Sequence, residues 1–144
     1  MIHLNKAIIN IRTTQVDINT KQDEVIELIT EGKFYKKSDA YYLVYDESEI
    51  SGMQGTTTTL KIKDNQVVLR RLGSNSSTME FEKNKRHRTQ YKTPYGSMTM
   101  EMLTKSVDVY IKEEHLEIDI TIEYDILIKN MFEGRNSMHI TVNK

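Results

Sequence analysis

The chain has 144 residues, with twenty basic against twenty-one acidic side chains and a formal net charge of −1. That size suits one domain, whose core buries roughly 68–70% of the unfolded surface. The charge balance lacks the basic excess that strong non-specific nucleic-acid binding needs, so nucleic acid is not an expected partner. Cys is absent, which removes thiolate metal sites and cysteine nucleophiles and suits a reducing compartment. Met1-Ile2-His3-Leu4-Asn5-Lys6 has no long apolar stretch of the kind a signal peptide needs. No run approaches the ~20 apolar residues of a membrane span. The expectation is a soluble cytoplasmic protein with no membrane partner.

Alternation of apolar and polar residues, the mark of half-buried strands, runs through most of the chain in stretches of about six to ten residues. A first strand is predicted over 7–18. Residues 20–31 read two ways. As a helix they have Thr20 and Asp23 as cap residues, Val25, Leu28 and Ile29 as an apolar face, and Gly32 as a stop. As a strand they turn Ile26, Leu28, Thr30 and Phe34 inward. The strand at 40–48 carries Tyr41, Leu43, Tyr45 and Glu47 on one face. Its other face holds Tyr42 and Val44 and is apolar too, which leaves its facing open and offers a contact for a homodimer.

Beyond the longer link Ser51-Gly52-Met53-Gln54-Gly55, strands are predicted at 57–63 and 66–72. Asp64-Asn65 joins them, a pair that tolerates the left-handed backbone of tight hairpins. After Gly73-Ser74-Asn75-Ser76-Ser77 come strands at 78–82 and 86–93, with Lys83-Asn84-Lys85 as the tip between. Thr93-Pro94-Tyr95-Gly96 has Pro at i+1 and Gly at i+3, a type I turn signature. Met98, Met100 and Met102 then alternate with Thr99 and Glu101, and Val107, Val109 and Ile111 with Asp108 and Tyr110. Past a tip at Glu113-Glu114-His115, Ile118, Ile120, Ile122 and Tyr124 alternate with an acidic set. A tip at Glu133-Gly134-Arg135-Asn136 precedes the alternation of Met138, Ile140 and Val142. Links this short join antiparallel neighbours. Closure into a barrel removes the exposed edges of such a meander. The predicted fold is all-β: a single closed antiparallel up-and-down barrel of about 8–10 strands, over residues 1–144.

Several stretches resemble a known family. They are Glu31-Gly32-Lys33-Phe34-Tyr35, Tyr42-Leu43-Val44-Tyr45-Asp46-Glu47 and Thr58-Thr59-Leu60-Lys61-Ile62. Arg71-Leu72-Gly73, Met79-Glu80-Phe81 and Tyr91-Lys92-Thr93-Pro94-Tyr95-Gly96 follow in the same order. Together they resemble the YwiB-like family of uncharacterised bacterial barrel proteins. The resemblance implies a calycin-type, lipocalin-like barrel and favours a strand over 20–34. It carries no activity. The chain has no Trp, so the Gly-x-Trp start of true lipocalins is missing, and Gly32-Lys33-Phe34 occupies the comparable place.

No nucleophile elbow, phosphate loop, dinucleotide fingerprint or His-Glu-x-x-His is present. An enzyme is therefore not the favoured reading, and no catalytic residue, cofactor or metal is assigned. His115 and Glu117 share a strand face and read as a solvated couple. His139 points outward if Met138 and Ile140 point inward, which argues against haem in the lumen. Met98, Met100 and Met102 read as flexible filling of an irregular interior, which also suits varied apolar ligands. The basic run Lys83-Asn84-Lys85-Arg86-His87-Arg88 reads as a solvated hairpin tip. The candidate ligand site is Glu47 and Arg71, with Tyr45 and Tyr91. Charges on otherwise apolar strand faces either pair with one another or bind a small amphipathic or anionic ligand. The alternative is an interaction or structural module whose barrel is filled by its own side chains.

Overall fold

A computed structural model describes residues 5–144. Met1 to Leu4, His3 among them, lie outside the described residues. The strands are β1 (Asn5–Asp17), β2 (Asp23–Lys37), β3 (Ala40–Asp46), β4 (Thr56–Lys63) and β5 (Gln66–Gly73), followed by β6 (Ser77–Phe81), β7 (Arg86–Thr93), β8 (Gly96–Lys112), β9 (Glu117–Ile128) and β10 (Phe132–Asn143). All ten belong to one antiparallel sheet in the order β6-β5-β4-β3-β2-β1-β10-β9-β8-β7. Every strand thus pairs with its chain neighbour except at one seam, and β1 pairs with β10, from Ile8 opposite Asn143 to Asp17 opposite Gly134.

The seam lies between β6 and β7, and it makes the barrel nearly rather than fully closed. Ser76 and Lys92 exchange two backbone hydrogen bonds there, of 2.9 and 2.8 Å. Further along, the His87 ring spans the gap. Its Nε2 lies 3.0 Å from the Thr78 carbonyl and its Nδ1 2.9 Å from the Glu80 carboxylate. A carbonyl only accepts, so Nε2 donates. His87 is therefore part of the seam, whereas Arg86 and Arg88 beside it are exposed, as expected of a charged tip.

Residues 20–31 resolve as strand, beginning at Asp23. The ladder with β1 runs from Asn5 opposite Phe34 to Val16 opposite Asp23. The β-branched run of Val25, Ile26, Ile29 and Thr30 suits that pairing better than a helix. The Asp17 carboxylate accepts from the backbone N–H groups of Asn19 and Thr20, at 2.8 and 3.2 Å, and shapes the turn before it. Gly32 ends no helix. A Cβ there would lie 2.7 Å from the Val44 carbonyl oxygen and 2.5 Å from an Ile9 methyl. It permits a close approach of strands at a barrel corner.

The tip expected at Glu133–Asn136 lies elsewhere. The turn falls before Phe132, where Asn130 takes a left-handed φ of 67°, and 133–136 belong to β10. Gly134 is again a close approach: a Cβ would lie 3.0 Å from the Val16 carbonyl oxygen and against the Phe132 ring.

The two alternating stretches of 98–102 and 107–111 form one strand, β8. Its register shifts between Thr104 and Ser106. One extra residue in a bulge reverses the parity, so even-numbered residues face inward before it and odd-numbered ones after. At one end of the barrel Ile9, Leu43, Leu60, Ile118, Ile120 and Ile140 are all 0–1% exposed. This end is solid. The other end is not.

Candidate functional site

Facing along β3 is settled by burial: Leu43, Tyr45 and Glu47 point into the barrel, and Tyr42 and Val44 point out, half-buried. Tyr42 stacks on Tyr35 with ring centroids 4.8 Å apart, covering part of the outer apolar face. Register then assembles a polar row across three strands. Tyr45 lies opposite Thr58, and Thr58 opposite Arg71. Glu47 sits one inward position beyond, its N–H bonded to the Thr56 carbonyl at 2.8 Å. Across the lumen a second row forms from Gln15, Asn136 and Tyr124. The Asn136 Nδ2 donates to Tyr124 Oη at 3.2 Å and to Gln15 Oε1 at 3.3 Å.

Between these rows lies an open cavity of about 380 Å³. Tyr45, Glu47, Arg71 and Tyr91, the four residues singled out in the sequence, all line it. Asn136 and Tyr124 line it as well. Five methionines, Met53, Met79, Met98, Met100 and Met138, are among its apolar lining. Met102 is buried elsewhere in the core.

Glu47 and Arg71 do not satisfy one another directly. Neither takes part in the ion pairs formed among the described residues. Strand β4 stands between their strands, and adjacent strands lie ~4.8 Å apart. The Arg71 Nη1 turns instead to the Met79 sulfur at 3.7 Å. Arg71 Nε, Glu47 Oε2, Thr58 Oγ1 and Asn136 Oδ1 are buried without a hydrogen-bond partner among the described residues. Tyr91 is better provided for: it accepts from Asn75 Nδ2 at 3.0 Å and reaches the Met53 sulfur at 3.8 Å.

Electrostatics follow from this burial. Loss of solvent pushes the Glu47 carboxyl above its ordinary value of 4.5, and the Arg71 charge, Thr58 and Tyr45 pull it partway back. Burial likewise raises the Tyr45 and Tyr124 hydroxyls, with the Arg71 cation working against both shifts. Arg71 is thus felt by groups on both sides of the lumen. A guanidinium in such surroundings can pair with an anion.

Elsewhere, His139 is exposed on the outer face, 2.9 Å from Asp119. No cluster of three His, Asp or Glu is arranged around a common point among the described residues. None of their helices is long and apolar enough to cross a membrane, which says nothing of strands. Asn136 was hidden in the sequence by its place beside Gly134, in a stretch with turn composition. Parity with Met138, Ile140 and Val142 was the signal that puts it inside.

Fold and cavity together define a ten-stranded up-and-down barrel, solid at one end and hollow at the other. Residues 9–140 match the family described as domain of unknown function DUF1934, and the chain belongs to that family. It is 30% identical over 118 residues to the uncharacterised β-barrel protein YwiB of Bacillus subtilis (strain 168), covering 82% of this chain and 80% of the relative. The crystal structure of that organism's ywiB protein superposes with a TM-score of 0.85 at 24% identity. The match covers 97% of this chain and 92% of the other. That likeness extends the barrel to the relative and carries no activity with it.

Proposed function

We propose that the protein is a cytoplasmic binding protein of calycin type, whose hollow end holds a small amphipathic ligand with an anionic group. The observation that carries this reading is the cavity of about 380 Å³ with Arg71 Nε buried in its wall and unpartnered among the described residues. The volume lies within the ~300–1,000 Å³ of ordinary ligand pockets. A cation held among apolar walls, flanked by tyrosine hydroxyls, orients a carboxylate or phosphate, while methionines adapt to the tail. An interior filled by its own side chains would leave no such space.

Octanoate, a carboxylate with a short tail, tests the reading by the methyl resonances of methionine. Shifts are expected at Met53, Met79, Met98, Met100 and Met138, with Met102 and the exposed Met131 as internal controls. Arg71→Met should abolish them. Resonances that ignore octanoate at millimolar concentration, in a protein that native mass spectrometry finds ligand-free when purified from its own cells, would leave a structural module as the better account. One observation favours such a module. Residues 23–32 of β2 pair with β1 on one side, while β3 pairs only with 33–37 on the other. The outward Val25 and Ile29 on that edge are 50% and 62% exposed. A second copy adding there would bury the edge, and sedimentation of Ile29→Lys beside the native chain would show it.

A further inference from the structure

The cavity wall holds two opposite charges that feel one another without forming an ion pair among the described residues. Glu47 is 8% exposed, and its Oε2 has no partner of hydrogen-bond geometry among the described residues, although the Thr58 and Tyr45 hydroxyls stand near enough to draw its carboxyl down. The Nε of Arg71, across Thr58 from Tyr45, has none either. On the facing wall Asn136 spends its amide N–H groups on Tyr124 and Gln15 and leaves its Oδ1 free. Among the described residues the site thus leaves Arg71 Nε, Glu47 Oε2, Asn136 Oδ1 and the Thr58 hydroxyl without a partner of hydrogen-bond geometry.

Unpaired buried charge is costly. A simple anion on Arg71 would answer one charge and bring a second negative group toward Glu47, where like charges repel. A simple cation on Glu47 would do the converse to Arg71. A molecule carrying both groups answers both and leaves the site neutral. We infer that the cavity takes a zwitterion with an apolar tail, of the kind an apolar α-amino acid presents. Its carboxylate lies on Arg71, its ammonium on Glu47, and its tail among the methionines. Asn136 Oδ1 is available to a further N–H of the ligand. The Glu47 carboxyl is raised by burial, and an adjacent ammonium would bring it back down. This inference rests on the reading of the hollow end as a ligand site.

Three probes with one eight-carbon chain separate the charges: 2-aminooctanoate, octanoate and octylamine, titrated calorimetrically into the full chain at pH 7. The zwitterion should bind about tenfold or more tightly than octanoate, the effect of one added charge-assisted hydrogen bond. Octylamine should be weaker than both. Glu47→Gln should erase the preference for the amino acid, and Arg71→Met should weaken both acids. Octanoate binding as tightly as 2-aminooctanoate overturns the inference while leaving a binding role intact. Failure of all three to bind overturns both. The comparison among probes on the native chain holds even where a variant folds poorly.

Discussion

The two ends of the barrel share the same strands and, except in β8 where a bulge reverses it, the same inward parity, yet they are filled by different chemistry. Along β9 the inward residues run Ile118, Ile120, Ile122 and then Tyr124; along β10, read toward its start, they run Val142, Ile140, Met138 and Asn136. β5 changes from Val67 and Leu69 to Arg71, and β3 from Leu43 to Tyr45 and Glu47. Branched aliphatics have few rotamers and pack solid. Methionines and buried polar groups leave space and unpaired atoms instead. The same pleat can thus carry a stable floor and an interior poised to receive a ligand, because depth along the strand is encoded by residue type and facing by parity.

Truncation breaks the comparison most sharply. Ile120→Ala, at the 0% exposed floor, should lose about 2–5 kcal/mol in denaturant unfolding, since a solid surround collapses poorly onto the missing atoms. Met98→Ala borders the cavity and should cost about 1 kcal/mol or less, because the lost contacts were fewer. Equal losses would mean that the hollow end is packed as tightly as the floor.

Charge sharpens it next. The Glu47 carboxyl is raised by burial above 4.5, so in the folded state it holds its proton to higher pH than in the unfolded chain. Its contribution to stability is full below 4.5 and is lost as pH rises through the folded value. Glu47→Gln should therefore stabilise the ligand-free protein at pH 7 by on the order of 1 kcal/mol, the scale of one unsatisfied buried group. The gain should vanish near pH 4. A variant less stable than the native chain at pH 7 would reveal a partner for Glu47 and remove the case for a ligand there.

Much of this was legible from local pattern. Alternation placed the strands, and the inward sets containing Ile120, Met100 and Ile140 follow from parity alone. Glu47 and Arg71 stood out as charges on apolar faces, and register brings them to one cavity. What local pattern lacks is the neighbour. Residues 20–31 read as helix or strand in sequence, with the family resemblance favouring strand, and the ladder with β1 decides it. Facing at Tyr42 and Val44 is decided partly by Tyr35, from another strand. Gly32 read as a stop in the helical alternative and Gly134 as part of a tip, because composition cannot distinguish a turn from a close approach. His87 looked like one more charge in a basic run, and its seam partners Thr78 and Glu80 lie across the hairpin.

The solid end has an electrostatic signature of opposite sign. There the Tyr41 hydroxyl donates to Glu113 Oε1, and the Lys36 Nζ lies 3.2 Å from the same oxygen. These contacts, the Tyr41 hydrogen bond foremost, hold the Glu113 carboxyl below 4.5. A depressed carboxyl contributes stability that is present above the unfolded value and lost as pH falls through the folded one. Glu113→Gln should thus lower Tm slightly at pH 7 and make no difference well below pH 4, the reverse of Glu47→Gln. The group is exposed, so the change should be smaller than that of Glu47→Gln and should fade in high salt. Two thermal scans across pH, one for each variant, would then diverge at neutral pH and converge in acid. Parallel curves would mean that the carboxyls at the two ends feel the same surroundings, and the contrast between floor and cavity would lose its electrostatic half.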